Sequence, residues 1–392
     1  MEYHREDLNA IKKVIGDIVD NYGEIRTWKD LEKAIKEALF KNNSSTTSIV
    51  SAMQHWAGLR IFRAPSDYRI YREIYEVATI KRAFYEIRKV RKYNIYKIYQ
   101  LLVELFNKQL RLVERRTSET QILEQFSTPL PIAFLLGWWT NTTSLNTKGD
   151  KNVIDPTGGN GMLLFYYLLL KLLTDTKYKI YYNELDVLRS FLFAVAYNGF
   201  YDSHSEYDFY DYVEIFPKRK RIFDSLLINP PFSRTNKKVS VTENGKTYSF
   251  RSQDFAMVTT ALNRLLADRG RAACIIGGHR FGEVEQSTYW DKKGRPKAGE
   301  ERDFWFFLFE NYNVVDVLYI DGKRLWAKQG QETNLRIILI DGRKKIQGIA
   351  QPPLYSPNWD RLITHWSELW DRVGRTKRNL FQLTREKLKN NG

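Results

Sequence analysis

From about Asn152 onward, short β-branched or apolar runs alternate with longer amphipathic ones, and no other feature constrains the fold as strongly. NVIDP is followed by Met162 to Leu173, YKIYYNELD by Val187 to Tyr197, FDSLLINPPF by Phe255 to Leu266, and RAACIIGG by Phe304 to Asn311. VVDVLYIDG and NLRIILIDG close the series. Strands alternating with helices build a parallel sheet covered on both faces. The last two runs are separated by about a dozen residues without a helical rhythm, so one of them is expected to run antiparallel to the rest. The expected fold class is therefore α/β, with a mostly parallel sheet carrying one antiparallel strand.

The residues ahead of this region read as helix. Ile11, Val14, Ile15, Ile18, Val19 and Tyr22 repeat at helical spacing, with Gly23 where a stop belongs. Thr27 with Asp30 three residues on starts a second helix carrying Leu31, Ile35, Ala38 and Leu39 on one side, and KNNSSTTS from Lys41 reads as a polar loop. Between Lys81 and Arg116 there are eleven Lys or Arg against three Glu, either a solvated face or a surface that follows phosphates. From Asp360 an amphipathic helix with Leu362, Trp366, Leu369, Trp370 and Val373 leads into a basic tail holding Arg375, Lys377, Arg378, Arg385, Lys387 and Lys389. The expected organisation is an N-terminal helical domain over 1–120, a catalytic domain over 121–345 and a basic helical tail over 346–392.

Composition narrows the partners. The 392 residues carry 62 Lys and Arg against 46 Asp and Glu, a net charge of +16, which favours a polyanion such as nucleic acid. The single cysteine, Cys274, cannot form an internal disulfide or a thiolate metal cluster within one chain, and a reducing cytoplasm suits it. The longest greasy run, Met162 to Leu170, stops at Lys171, too short to span a membrane.

Three segments carry chemistry. VIDPTGGNGML (Val153 to Leu163) sets an acid and three glycines between a strand and a helix, where the backbone can come close to a ligand. It has no Lys followed by Ser or Thr to grip phosphates, and Asp155 would repel a pyrophosphate but welcome a cation. Glu184 lies 23 residues past Gly161, near the end of the next strand, where a carboxylate can accept both hydroxyls of a ribose. The two together indicate a nucleoside cofactor without a pyrophosphate. In FDSLLINPPF an apolar strand runs into Asn-Pro-Pro-aromatic: stiff prolines let the Asn229 oxygen and the Pro230 carbonyl converge as fixed acceptors for an NH2 group. Accepting both amine hydrogens makes the nitrogen lone pair available to an electrophilic methyl, and Phe232 is placed to stack on the ring bearing the amine.

The ordered blocks QFSTPLPIAFLL (Gln125 to Leu136), IDPTGGNGML, YNELD and LLINPPF resemble the S-adenosylmethionine-dependent DNA amino-methyltransferases of the N6-adenine type. The order, with F-x-T-P ahead of the glycine turn, is similar to that of modification subunits of type I restriction-modification systems and their single-chain relatives. The likeness runs from about Gln125 to Asp341. It implies a Rossmann-like methyltransferase sheet, and it implies roles for individual residues. Phe126, Thr128 and Pro129 match the block over the methionine part of the cofactor; Asp155, Gly159 and Gly161 match the turn near its amino group; Glu184 matches the ribose ligand. Asp208 is the first choice for the acid that meets the cofactor's adenine amine, with Asp211 a close rival because no Gly precedes the Asp. Asn229, Pro230, Pro231 and Phe232 match the catalytic loop, with Asn229 also at the cofactor. The implied reaction is in-line methyl transfer to N6 of an adenine flipped out of DNA, without a metal. Cys274, in AACIIGG, reads as a core strand residue and His279 as a loop residue.

Only about fifty residues follow Asp341, too few for the target-recognition region that such relatives carry. Specificity is therefore expected from the N-terminal helices, the insertion Ser233 to Phe250, the loop Gly282 to Glu301, or a separate specificity or nuclease subunit, unless selectivity is low. The basic loops PKRKR (Pro217 to Arg221), RTNKK (Arg234 to Lys238) and DKKGRPK (Asp291 to Lys297) are candidates for holding the DNA backbone. Rival readings are methylation of cytosine N4, of RNA adenine or of a protein glutamine amide, and a catalytically silent DNA-binding subunit.

Overall fold

The computed structural model describes residues 3–58, 64–90, 94–111, 127–141, 151–174, 178–216, 221–278, 299–346, 359 and 361–389. Helices come first: α1 (Tyr3–Asp20), α2 (Trp28–Lys41), α3 (Thr46–Ala57), α4 (Asp67–Arg88), α5 (Ile95–Lys108) and α6 (Leu130–Thr140). The alternating part follows as β1 (Lys151–Asp155), α7 (Phe165–Leu173), β2 (Tyr178–Asn183), α8 (Val187–Tyr197), β3 (Ser203–Ser205), α9 (Phe209–Ile215) and β4 (Phe223–Ile228). A hairpin, β5 (Arg234–Glu243) and β6 (Lys246–Ser252), interrupts it before α10 (Gln253–Arg264), β7 (Leu266–Gly277), α11 (Glu300–Asn311) and β8 (Tyr312–Ile320). The chain closes with a short α12 (Gly322–Leu325), β9 (Leu335–Arg343), β10 (Leu362–Ile363) and α13 (Trp366–Lys389).

The second helix starts where the sequence places it: Thr27 accepts a hydrogen bond from Asp30 N while the Asp30 carboxylate accepts from Thr27 N at 2.7 Å. The polar run after Lys41 is loop only in part. Ser45 and Ser48 cap one another reciprocally, at 3.0 and 2.7 Å, and their bonds nucleate α3 inside what reads as a loop. Leu362 also departs from expectation: it sits in the two-residue strand β10 beside β8, and α13 begins only at Trp366, after Glu368 turns back to accept from Thr364 N at 3.0 Å.

The main sheet has the strand order β10-β8-β9-β7-β4-β1-β2-β3. β9 lies antiparallel to both β7 and β8 and every other pairing is parallel, so NLRIILIDG is the antiparallel run. Because side chains alternate across a strand, neighbouring apolar residues feed opposite faces. Val153, Leu227 and Ala273 face a core shared with α1 to α8 and α13; Ile154, Leu226, Ile228 and Cys274 face one built with α9, α10, α11 and the hairpin. Each fully buried Leu, Ile or Phe contributes about 1.5–3 kcal/mol, so both layers are firmly held. The N-terminal helices share their apolar cluster with α6, α7 and α8.

β1 is central, with β2 on one side and β4 on the other. The chain thus leaves β1 and β4 in opposite directions across the sheet, and a crevice opens outside their carboxyl ends. Asp155 ends β1 and Asn229 follows β4.

Candidate active site

A cleft partly open to solvent occupies that crevice. Its floor is the turn after β1. Gly159 and Gly161 have φ of 54° and 84°, the left-handed region that a Cβ disfavours. The two glycines differ in what surrounds them. A Cβ on Gly159 would meet nothing within 4 Å, so this residue presents bare backbone to the cleft, whereas one on Gly161 would lie 2.5 Å from the Phe193 ring. Gly158 is held equally close, since a Cβ there would lie 2.2 Å from a ring carbon of Tyr182. The turn is bonded to β2 by Gly158 N–H donating to the Asn183 carbonyl at 2.8 Å.

Two buried carboxylates flank it. Asp155 accepts from Thr157 N at 3.1 Å through Oδ1, while Oδ2 is buried with no hydrogen-bond partner among the described residues. Burial, with Glu184 nearby as a lesser cause, pushes the Asp155 carboxyl up to about 8. Glu184 accepts from Gly159 N at 2.7 Å and from Asp186 N at 2.8 Å, and burial raises it too. It therefore ties the glycine turn to the end of β2. Asp208 lines the far end, its Oδ1 accepting from Tyr210 N at 2.9 Å to cap α9; Asp211, inside α9, is not among the lining residues.

Asn229, Pro231, Ser127 and Thr128 line the same cleft as the turn. Asn229 Nδ2 donates to Thr128 Oγ1 at 3.1 Å, an orientation that turns the amide oxygen to another direction. Pro230, in the same loop, is buried. Phe232 is partly buried against the apolar cluster that α1 to α8 and α13 share with the sheet, and is not among the residues lining the cleft; Pro129 serves as the N-cap of α6. Phe126 lies outside the described residues, as do His279, 217–220 and 291–297, which contain most of two of the basic loops. Cys274 is buried in β7 and its thiol is pushed up by burial, as a core residue. Lys377 is buried rather than part of a basic face, its ammonium donating to the carbonyls of Trp138 and Asn141.

The cleft's back wall is nearly silent in the sequence. α4 sends Glu73 and Glu76, both buried, behind the glycine turn. Asn160, within the turn, donates to Glu73 at 2.5 Å and to Glu76 at 2.7 Å, and Ser127 donates to Glu76 at 2.5 Å. Arg189 from α8 meets Glu73 at 3.2 Å and also lines the cleft. Arg189 and Arg72 hold the Glu73 carboxyl well below the usual carboxylate range despite its burial; Glu76 is raised, by burial and by Glu73. A buried cluster of this kind looks in sequence like any charged helix face. Its only signal is that Glu73 falls between Ile70 and Ile74, on the apolar side of α4.

The sequence matches no protein-family model and no curated protein. Among solved structures it is similar to a protein of Listeria monocytogenes assigned to the class I S-adenosylmethionine-dependent methyltransferases: 12% identity, 96% of this chain and 99% of that one covered, TM-score 0.46. It is similar to the methyltransferase subunit of a type I restriction-modification system from Streptococcus thermophilus at 14% identity, with 96% and 87% covered and a TM-score of 0.45. A modification subunit assigned to a type I restriction enzyme of Vibrio vulnificus gives 14% identity, 65% and 51% covered, and a TM-score of 0.41. Likenesses this distant add nothing to what the strand order shows by itself. Among the described residues, no helix is long and apolar enough to cross a membrane.

Proposed function

We propose that the protein is a DNA adenine methyltransferase that uses S-adenosylmethionine to methylate the exocyclic N6 of a flipped adenine. One observation carries the reading: the Asn229 loop and the acid-flanked glycine turn, far apart in sequence, line one cleft at the switch point of the sheet. The residues present fit the cofactor. Asp155 offers a buried oxygen that lacks a partner among the described residues, suited to a cationic amine, and Gly159 leaves its backbone open. Glu184, Asp208 and Thr128 line the same cleft, which supports giving them the ribose, the adenine amine and the methionine part respectively. When bound, the cofactor supplies an electrophilic methyl on a sulfonium.

The chain's own residues do the rest. Thr128 holds the Asn229 amide by its nitrogen, and the amide oxygen, which can only accept, is assigned to the incoming amine. The Pro230 carbonyl, fixed by two prolines, is the second acceptor. Two preorganised acceptors favour the nitrogen as it loses conjugation with its ring. The net charge of +16 favours a nucleic acid over a protein amide as substrate, and a separate specificity or nuclease subunit is a natural partner in the cytoplasm. Radiolabelled methyl transfer to duplex DNA, RNA and protein, followed by nucleoside analysis, tests the proposal: label in N6-methyladenine of DNA is expected. Label only in RNA, protein or cytosine N4 refutes it.

A further inference from the structure

β5 and β6 form a two-stranded sheet of their own, and both of its feet stand on the cleft. Pro231 lines the cleft three residues before Arg234, and Gln253 lines it directly after Ser252. The feet are bonded by Gln253 N–H donating to the Ser233 carbonyl at 2.8 Å. At the tip, Asn244 and Gly245 have φ of 50° and 77°, the double positive value of a tight type I′ hairpin. One face is packed against α11. Val241, Tyr248 and Phe250 are buried, Tyr248 lies edge-on to Phe307 with centroids 5.3 Å apart, and Lys246 meets Glu310 at 2.7 Å.

The opposite face carries no apolar residue. Ser240 and Ser249 pair across the strands at 2.8 Å, as do Thr242 and Thr247 at 3.0 Å. Exposed Lys237, Lys238 and Arg251 stand at the foot end of the ribbon. Hydroxyl pairs of this kind stabilise a ribbon only weakly. A rigid ribbon beside a catalytic cleft, presenting hydroxyls flanked by cations, has the shape and chemistry of a groove reader. The major groove of B-DNA, about 12 Å wide, admits a two-stranded ribbon, and Ser and Thr hydroxyls both donate to and accept from base edges. The deep, narrow major groove of A-form RNA does not admit one.

We propose that this ribbon is the duplex-DNA recognition element: Ser240, Thr242, Thr247 and Ser249 read base edges in the major groove, and Lys237, Lys238 and Arg251 grip the flanking phosphates. The inference rests on the DNA reading above and goes beyond it by giving this chain a base-reading element of its own.

Two variants of the full chain test it, with circular dichroism and S-adenosylmethionine binding confirming that each still folds. In K237A/K238A/R251A, the slope of log affinity against log salt on a random-sequence 30-base-pair duplex is expected to fall by about 2–3, near 0.9 for each phosphate no longer neutralised. In S240A/T242V/T247V/S249A, binding to that duplex should stay within about twofold while the set of methylated sequences in a host methylome broadens or shifts, since base contacts rather than phosphate contacts specify. An unchanged salt slope in the first variant together with an unchanged methylated set in the second overturns the proposal. So does loss of affinity for an RNA duplex alone. A wild type that binds duplex DNA with the expected slope yet methylates none of it refutes the methyltransferase reading and leaves the ribbon's grip on DNA intact.

Discussion

Asp155→Asn separates a strained functional carboxyl from an ordinary core residue. In the folded chain this carboxyl is pushed up to about 8 by burial, against about 3.9 in an unfolded chain. Between those limits the folded state binds a proton that the unfolded state has released, so stability falls as pH rises, by about 1.4 kcal/mol per unit. At pH 7 the accumulated cost is about 4 kcal/mol, and it levels off above pH 8. Asparagine lacks this titration, but its amide places an NH2 where Oδ2 is buried without a partner among the described residues, costing about 1–3 kcal/mol at every pH. The two stability curves should therefore cross. By urea denaturation of the ligand-free protein, the variant is less stable than wild type near pH 4 and more stable by about 1–3 kcal/mol at pH 7. A difference that stays constant from pH 4 to 8 refutes the reasoning. Binding of S-adenosylmethionine should respond in the opposite sense: wild-type affinity rises toward pH 8 as Asp155 ionises, and the variant lacks that rise.

Glu73→Gln leaves Arg189 and Arg72 facing an amide in a fully buried site, which should cost about 3–5 kcal/mol in urea denaturation. Loss below about 1 kcal/mol would show that the pair is not the buried charge network described. Gly161→Ala forces a Cβ against Phe193 at a positive φ and should destabilise by about 2–4 kcal/mol, measured by denaturant titration. Gly159→Ala, with open space around it, should cost only about 1 kcal/mol and instead weaken cofactor affinity, read by calorimetry. Asn229→Ala should lower methyl transfer on the order of 10²–10³-fold or more while leaving cofactor affinity largely intact, measured by radiolabel incorporation and calorimetry.

The main sheet was legible because its long strands are apolar against both faces, as Val153-Ile154 and Leu226-Leu227-Ile228 are. β3 reads Ser-His-Ser and β10 is two residues long, so neither leaves a pattern; pairing with a neighbour already in place makes each a strand. The hairpin did carry a signal, Asn244-Gly245 between alternating Val239/Val241 and Tyr248/Phe250, but read as an insertion it stays a loop. In the site, Asp155, Glu184 and Asn229 announce themselves because each ends or follows an apolar strand. Glu73, Glu76 and Arg189 do not, since helix periodicity distinguishes a buried charge from an exposed one only when the rest of the face is clean. α4 buries charged and apolar residues side by side.

The Glu73–Arg189 pair joins residues 116 positions apart. A ribosome makes α4 long before it makes α8, so the newborn helix carries an acidic side chain toward an interior that does not yet exist. Its final settling must wait for the cation, so α4 is synthesised well before it can reach its finished packing.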